Sequence, residues 1–434
     1  LLALLVPPLV IACGGSGTGT PSEDADVDAA DAAAVADAAA VADTAVSDIA
    51  GDAVAEGDVD ADIPAEPLEP LAVECQEILT GLGPEGATAL DVTVVAAGLA
   101  IPWSLDWLPD GSMLLTERAG TLRRVTAAGV LLEEPLANVP ITTGGEGGLL
   151  GLAVSPTFAS DNAIFLYYTS NESGTVHNRV ERWLVSEDLG SASFGEVIVN
   201  DIPARQFHNG GRLRFGPDGM LYIGTGDATT PAFSQDPENL AGKLLRVAPD
   251  GAIPDDNPWG TAAWLIGLRN LQAFDWRADG RIVLADHGPS GLPAEDGRTG
   301  YDEFSVAEPG DNLGWPDVYR CESAGELLAP SMTWQDALPP GGAAVVPATA
   351  IPAWEGDVLV GVLGFGDDVG HLHRFVTTDD GNVSLSEVYL RGEYGRLRDV
   401  VVGPDGALYV TTSNCDGRAT CDGDGDLVLR ITGP

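Results

Sequence analysis

One short phrase recurs along the chain, and it restricts the fold more than any other feature. Leu105-Asp106-Trp107-Leu108-Pro109-Asp110-Gly111 leads into the apolar run Met113-Leu114-Leu115, then into Thr121-Leu122-Arg123-Arg124-Val125. The phrase returns as RFGPDGMLYIGTGD with Gly242-Lys243-Leu244-Leu245-Arg246-Val247, as FDWRADGRIVLAD, and as VVVGPDGALYVTT with Leu427-Val428-Leu429-Arg430-Ile431. Looser copies are LAVSPTFASDNAIFLYYTS with ERWLV, and IPAWEGDVLVGVL with HLHRFV. Each copy reads as a strand, a tight turn, a second strand, and later a third strand carrying Arg between apolar residues. Six such units, spaced roughly 40 to 70 residues apart, predict an all-β six-bladed β-propeller over residues 75–434. A pair of β-sandwiches is the alternative. In a propeller, functional residues belong on the loops where different repeats meet around the central channel.

The chain before residue 75 reads differently. Leu1 to Ala12 is an apolar run too short to span a bilayer, which takes about 20 residues. Val10-Ile11-Ala12-Cys13 resembles the lipobox of bacterial lipoproteins, so residues 1–12 read as the h-region of a signal peptide whose start lies upstream. Cys13 is then the lipidated residue. Residues 13–74 form a low-complexity linker, and Pro21 to Glu74 carries 16 acidic residues and no basic one. Such a segment repels itself and has little apolar surface to bury, so it is expected to be a disordered tether. Removing those 16 charges from the net −45 leaves −29 for the rest. That acidity argues against a nucleic-acid partner, since phosphate binding needs basic surface.

The chemistry concentrates in Phe207 to Asp227, FHNGGRLRFGPDGMLYIGTGD. His208 precedes two glycines in a turn that lets a ligand come close to the backbone, and the turn is expected to present His208 to solvent or ligand. Arg396 and Arg398 flank Leu397, so in a strand they share a face, and two adjacent cations call for an anion between them. The alternative is a pair satisfied by Glu393 and nearby acids.

Taken in order, PWSLDWLPDGSMLLTERAGTLRRV, GGEGGLLGLAVSPTF, HNGGRLRFGPDGMLYIGTGD, AGKLLRV, GLRNLQAF, DHGPSG, YDEFSV, NLGWP and RLRDVVVGPDGALYV resemble the soluble PQQ-dependent glucose/sorbosone dehydrogenase family, aldose sugar dehydrogenases included. The resemblance covers nearly all of residues 95–432. It implies oxidation of an aldose sugar to a lactone, with PQQ and Ca²⁺ as cofactors and a quinone or cytochrome as electron acceptor. His208 stands where the family histidine takes the proton of the anomeric hydroxyl while hydride passes to the quinone C5. An imidazole suits that task because its pKa lies near working pH. Arg269 matches the arginine beside the C5 oxygen, where a fixed cation stabilises negative charge. Asn270 matches a cofactor contact, and Arg396 with Arg398 would hold PQQ carboxylates.

The resemblance also implies two calcium positions. Gly288 and Pro289, in Asp286-His287-Gly288-Pro289, match the loop whose carbonyls hold the catalytic Ca²⁺, and carbonyl oxygens suit that hard cation. His287 is read as lining. Glu303 and the Leu313 carbonyl match a structural Ca²⁺ site. Three positions depart from the family pattern. Glu146 replaces a glutamine near cofactor and substrate. Val362-Leu363-Gly364 stands where glucose dehydrogenase has a PQQ-contacting lysine, and Ala273 replaces a glycine.

Four cysteines remain besides Cys13, an even number that suits disulfides in an exported domain. Cys415–Cys421 would staple a short loop and Cys75–Cys321 would pin the tether's end, but the sequence leaves all three pairings open. Asp422, Asp424 and Asp426 lack the glycine and glutamate of an EF-hand loop, so they read as a solvated turn. His177, His371 and His373 read as structural or surface residues. The combined expectation is an exported bacterial lipoprotein, anchored to a membrane through Cys13, with sugar dehydrogenase activity. The alternatives are a non-catalytic binding propeller and a calcium-dependent lactonase-type hydrolase.

Overall fold

The computed structural model describes residues 70–434, apart from 173, 323–324 and 367–368. The signal peptide, Cys13 and residues 13–69 of the expected tether lie outside the described residues.

Six antiparallel sheets form the blades of a β-propeller. Their inner strands are Pro102–Trp107, Leu149–Val154, Leu213–Phe215, Leu271–Trp276, Pro340–Val345 and Leu397–Val402, in blades I to VI. These strands neighbour one another around the ring, and blade VI returns to blade I. The ring is locked by its two ends: Asp91–Leu99 pairs antiparallel with Asp426–Thr432, so blade VI contains both an early and a late strand. Gln76–Ile78 adds in parallel to Met332–Trp334 at the outer edge of blade IV.

The repeated phrase has a local physical cause. In blades I, III, IV and VI the turn glycine (Gly111, Gly219, Gly280 or Gly406) has a positive φ, which glycine adopts without a Cβ clash. Its amide closes the turn onto the carbonyl three residues earlier. The preceding aspartate accepts the amide two residues on, as in Ser112 to Asp110 and Met220 to Asp218. The third-strand arginine then reaches back to that aspartate in three blades: Arg124 to Asp110, Arg246 to Asp218 and Arg430 to Asp405, at 2.7–2.9 Å.

Blades pack face to face, so their strands are apolar on both sides, and the buried side chains fall into clusters between neighbouring blades. The inner strand of blade V, Pro340–Val345, breaks the pattern by being rich in small residues. A Cβ at Gly341 would stand 2.5 Å from the Arg398 carbonyl oxygen, and one at Gly342 would stand 2.7 Å from Asp399. Blade VI approaches too closely there for a side chain.

One residue ties the inner strands together. Arg212 pairs with Asp399 at 2.7 Å and donates to the carbonyls of Gln272 and Gly341 and to Ser104 Oγ. Its guanidinium also lies over Trp103, 4.5 Å from the ring centroid. These contacts join blades I, III, IV, V and VI under the cavity described below.

The disulfides are Cys75–Cys321 and Cys415–Cys421. The Ala72 amide bonds the Asp380 carbonyl and the Glu74 amide bonds Asn382, which docks residues 72–74 on blade V. Asp426 does not lie in a solvated turn. It is fully buried rather than solvated, and its carboxylate accepts from Thr412 Oγ1 and the amides of Ile101, Asn414 and Cys415. His177, read from sequence as structural or surface, is buried on the strand Thr175–Val185 with Nε2 3.0 Å from Arg179.

His371 and His373 share a strand face and form a buried relay. His371 Nδ1 faces the Val369 carbonyl, its Nε2 faces His373 Nδ1, and His373 Nε2 faces Ser386 Oγ. Because Val369 offers only an acceptor, His371 carries its proton on Nδ1 and His373 donates from its own Nδ1. Burial pushes His371 down to about 4 and His373 well below the usual imidazole value. The unfolded chain therefore binds protons here that the folded chain refuses. The stabilisation is complete above pH 6.5 and is lost as pH falls toward 4, on the order of 3 kcal/mol from His371 alone. Replacing both residues by Gln is expected to flatten the fall in unfolding free energy over that window. An unchanged pH slope in the double variant contradicts this assignment.

Candidate active site

Loops from all six blades converge on a cavity of about 390 Å³. Of the residues singled out from sequence, Glu146, His208, Arg269, Asn270, Gly288, Pro289, Arg396 and Arg398 all line it. Glu303 and Leu313 do not. Glu303 lies on the strand Asp302–Ala307 opposite Asp286, and the Leu313 side chain is packed in a hydrophobic cluster with Leu268 and Phe274.

His208 is 4% exposed, so the turn holds it at the cavity wall rather than presenting it to bulk solvent. Its Nδ1 lies 2.7 Å from Asp227 Oδ1. A carboxylate there fixes the proton on Nδ1 and leaves the Nε2 lone pair available, without a partner among the described residues. Asp227 is itself held on every side. Oδ1 also accepts the Thr229 amide at 2.7 Å, and Oδ2 accepts Trp315 Nε1 at 2.9 Å. The backbone is tight around this pair. His208, Ala228 and Thr229 have φ values of 58°, 50° and 55°, which cost L-residues about 1–3 kcal/mol each and concentrate at functional sites. A Cβ at Gly226 would overlap the His208 carbonyl oxygen, so only glycine lets the two loops meet.

Arg269 is held on one side of its guanidinium. Glu295 accepts from its Nε and Nη2 at 2.6 Å, and Ser290 Oγ accepts from Nη2 at 2.5 Å. Glu295 is buried, so the guanidinium is fixed at the cavity wall. The amides of Arg269 and Asn270 donate to the two oxygens of Asp286, whose carboxyl burial raises to about 6. Asn270 Oδ1 accepts the Gly210 amide, which ties blade IV to the histidine loop.

Arg396 and Arg398 do share a face, and the anion between them is Asp416, at 3.0 and 3.6 Å, not Glu393. Burial opposes ionisation of Asp416, but the two arginines outweigh it and hold the carboxyl below its usual value. Among the described residues, Arg396 Nε is buried without a partner. Asp416 sits inside the Cys415–Cys421 loop, which also carries Arg418. Arg418 Nη2 donates to Glu146 Oε1 at 3.0 Å, while Glu146 Oε2 accepts the His208 amide at 3.1 Å. Burial would raise the Glu146 carboxyl, but the Arg418 guanidinium beside it outweighs burial and leaves it lowered. Its added charge is therefore countered within the cavity. Val362-Leu363-Gly364 supplies an apolar side chain, Leu363, and carbonyls that accept from Arg396 Nη1.

His287 Nε2 contacts the Pro340 carbonyl at 2.6 Å, and burial pushes its pKa down to about 3, so it is a neutral lining residue. The Gly288 amide donates to Asp302, and the Pro289 carbonyl accepts from Gly300. Among the described residues no three His, Cys, Asp or Glu side chains converge as a metal site. A cation here would rest mainly on carbonyl oxygens. At Glu303, burial first and then the Asp286 charge raise the carboxyl well above its usual value.

Sequence reasoning missed Asp227, Glu295, Asp416, Arg118 and Arg418. Asp227 closes the motif that carries His208, and a histidine in a Gly-rich turn invites a search for its carboxylate. Glu295 and Asp416 come from loops with no motif of their own.

The family model described as Glucose / Sorbosone dehydrogenase matches residues 99–422. The aldose sugar dehydrogenase of Escherichia coli (strain K12) is 33% identical over 355 residues, covering 76% of this chain and 91% of its own. Quinoprotein glucose dehydrogenase B of Acinetobacter calcoaceticus is 26% identical over 310 residues, covering 62% of this chain and 63% of its own. The PQQ-bound form of aldose sugar dehydrogenase from Streptomyces coelicolor is similar in structure, with a TM-score of 0.69 at 34% identity. That match covers 80% of this chain and 99% of the other.

Proposed function

The chain belongs to the glucose/sorbosone dehydrogenase family, and from that premise we propose that it oxidises an aldose sugar at the anomeric carbon to a lactone, using PQQ and Ca²⁺. The observation that carries this reading is the buried His208–Asp227 pair at the wall of a cavity that also holds five arginines.

The donors fit a tricarboxylated quinone. Arg396 and Arg398 share a single carboxylate, and among the described residues Arg396 Nε is an orphaned buried donor. Bidentate guanidinium forks match carboxylates. Glu303, raised by burial and by Asp286, suits a neighbouring cation, and the Gly288 and Pro289 carbonyls are the lining oxygens for the other Ca²⁺. Bound PQQ would supply the two-electron acceptor and Ca²⁺ the Lewis acid that polarises it.

The protein's own part is proton transfer and electrostatics. His208 Nε2 takes the proton of the anomeric hydroxyl, and Asp227 stabilises the imidazolium that results. Arg269, immobilised by Glu295 and Ser290, presents fixed N–H donors to developing negative charge without reorganising. Asn270, Arg396 and Arg398 orient the cofactor, and Glu146, bound to the His208 backbone, shapes the sugar side. The two disulfides suit an oxidising compartment, which supports export; the proposal adds a membrane anchor at Cys13 and a quinone or cytochrome as electron acceptor.

His208→Ala is the test. The variant is expected to bind PQQ like the parent while losing about 10²- to 10⁴-fold in kcat for lactone formation. Retained turnover at full cofactor occupancy would remove His208 from the chemistry.

A further inference from the structure

We infer that Arg118 binds a carboxylate in this cavity and that the carboxylate belongs to the cofactor, an inference that rests on the cofactor reading above. Four of the five cavity arginines already have acidic partners. Arg269 has Glu295, Arg396 and Arg398 have Asp416, and Arg418 has Glu146. Arg118 lines the same cavity and is half-buried, yet its side chain has no hydrogen bond or ion pair among the described residues.

No local acid is left over to serve it. Asp227 is taken by His208 and Trp315, and the Asp302 oxygens accept the amides of Gly288 and Leu338. Arg118 is therefore the one cavity arginine with no carboxylate in contact among the described residues, in a protein whose net charge is −45. A cation partly withdrawn from water without a counter-ion is unfavourable unless a ligand completes it.

The position of Arg118 is fixed by its backbone. It directly follows the strand Met113–Glu117, its amide bonds the Ile101 carbonyl, and its carbonyl accepts the Leu149 amide. A Cβ at Gly148 would stand 2.9 Å from Arg118 Cγ, so that glycine makes room for the root of the side chain. The charges acting on Arg118 are Asp416, Arg418 and Glu146, and Arg118 in turn acts on Arg398. It therefore extends the Arg396–Arg398 cluster from blade I, and a polycarboxylate spanning that cluster meets it. A sugar acid offers the same chemistry, so the test separates the two sources.

The full chain, freed of cofactor, is titrated with PQQ in the presence of Ca²⁺, and binding is read by equilibrium dialysis. Arg118→Gln is expected to weaken binding about tenfold or more, as loss of a charge-assisted hydrogen bond does. Arg118→Lys keeps the charge without the fork and is expected to recover part of that loss. Melting temperatures without PQQ show that each variant is folded, and Arg118→Lys decides the matter if Arg118→Gln is not. In the reconstituted enzymes, the KM ratio between a uronic acid and its neutral aldose is expected to stay unchanged. Dissociation constants within about twofold of the parent would overturn the inference. So would a KM rise confined to the uronic acid, which would place the carboxylate on the substrate. A parent protein that binds no PQQ defeats the cofactor reading itself, a result distinct from a variant that binds as well as its parent.

Discussion

Asp227→Ala is expected to lower kcat by about 10²- to 10⁴-fold while leaving PQQ affinity close to that of the parent. Asp227 contacts His208 Nδ1, the Thr229 amide and Trp315 Nε1, and does not itself line the cavity. Its removal frees the imidazole to take the other tautomer, in which Nε2 carries the proton and cannot accept one. It also removes the negative charge that would stabilise imidazolium. A merely structural role would change KM and stability together. The role assigned here lowers kcat and alters its pH profile, because the unsupported base must work without its counter-charge. Asp227→Asn keeps the shape but can present its amide N–H to Nδ1, which favours the wrong tautomer, so it is expected to fail almost as badly. Steady-state kinetics at saturating PQQ decide this, and kcat within about threefold of the parent would refute it.

Arg212→Ala is expected to cost about 3–5 kcal/mol of stability, read as a lower denaturation midpoint. The residue is fully buried, and its loss strands Asp399 in the middle of the ring with two carbonyls and a serine hydroxyl unpaired. Arg214 reaches the Ala343 and Val400 carbonyls nearby and lies 3.6 Å from Asp399, too far to replace the lost fork. Arg212→Lys supplies one charge but cannot span five blades, so it is expected to recover only part of the loss. A midpoint unchanged in Arg212→Ala would show that the ring holds without this centre.

The blades were legible because their signal is local. Asp-Gly turns, flanking apolar strands and a returning arginine all lie within one repeat, and Asp110, Asp218 and Asp405 show the arginine's purpose. Pro340–Val345 hid because its strand is made of residues that disfavour strands, chosen by how closely Arg398 and Asp399 approach. Ring closure by Asp91–Leu99 pairs segments more than 300 residues apart, which no local pattern records. The site divides in the same way. His208, Arg269, Asn270, Arg396 and Arg398 stand in motifs, but their counter-ions Glu295 and Asp416 arrive from loops shaped by tertiary packing. A Gly-rich turn can face solvent or ligand, and His208 faces the cavity. Here two other loops close over it, and Gly226 gives them room.

Reconstitution is the most direct measurement of the central claim. The purified full chain, cleared of cofactor, is mixed with PQQ and Ca²⁺, and reduction of a redox dye is followed across a panel of aldoses. The account predicts no dye reduction before PQQ is added, and aldose-dependent reduction with lactone as product afterwards. A folded protein that binds no PQQ, or that binds it and oxidises no aldose in the panel, would contradict it.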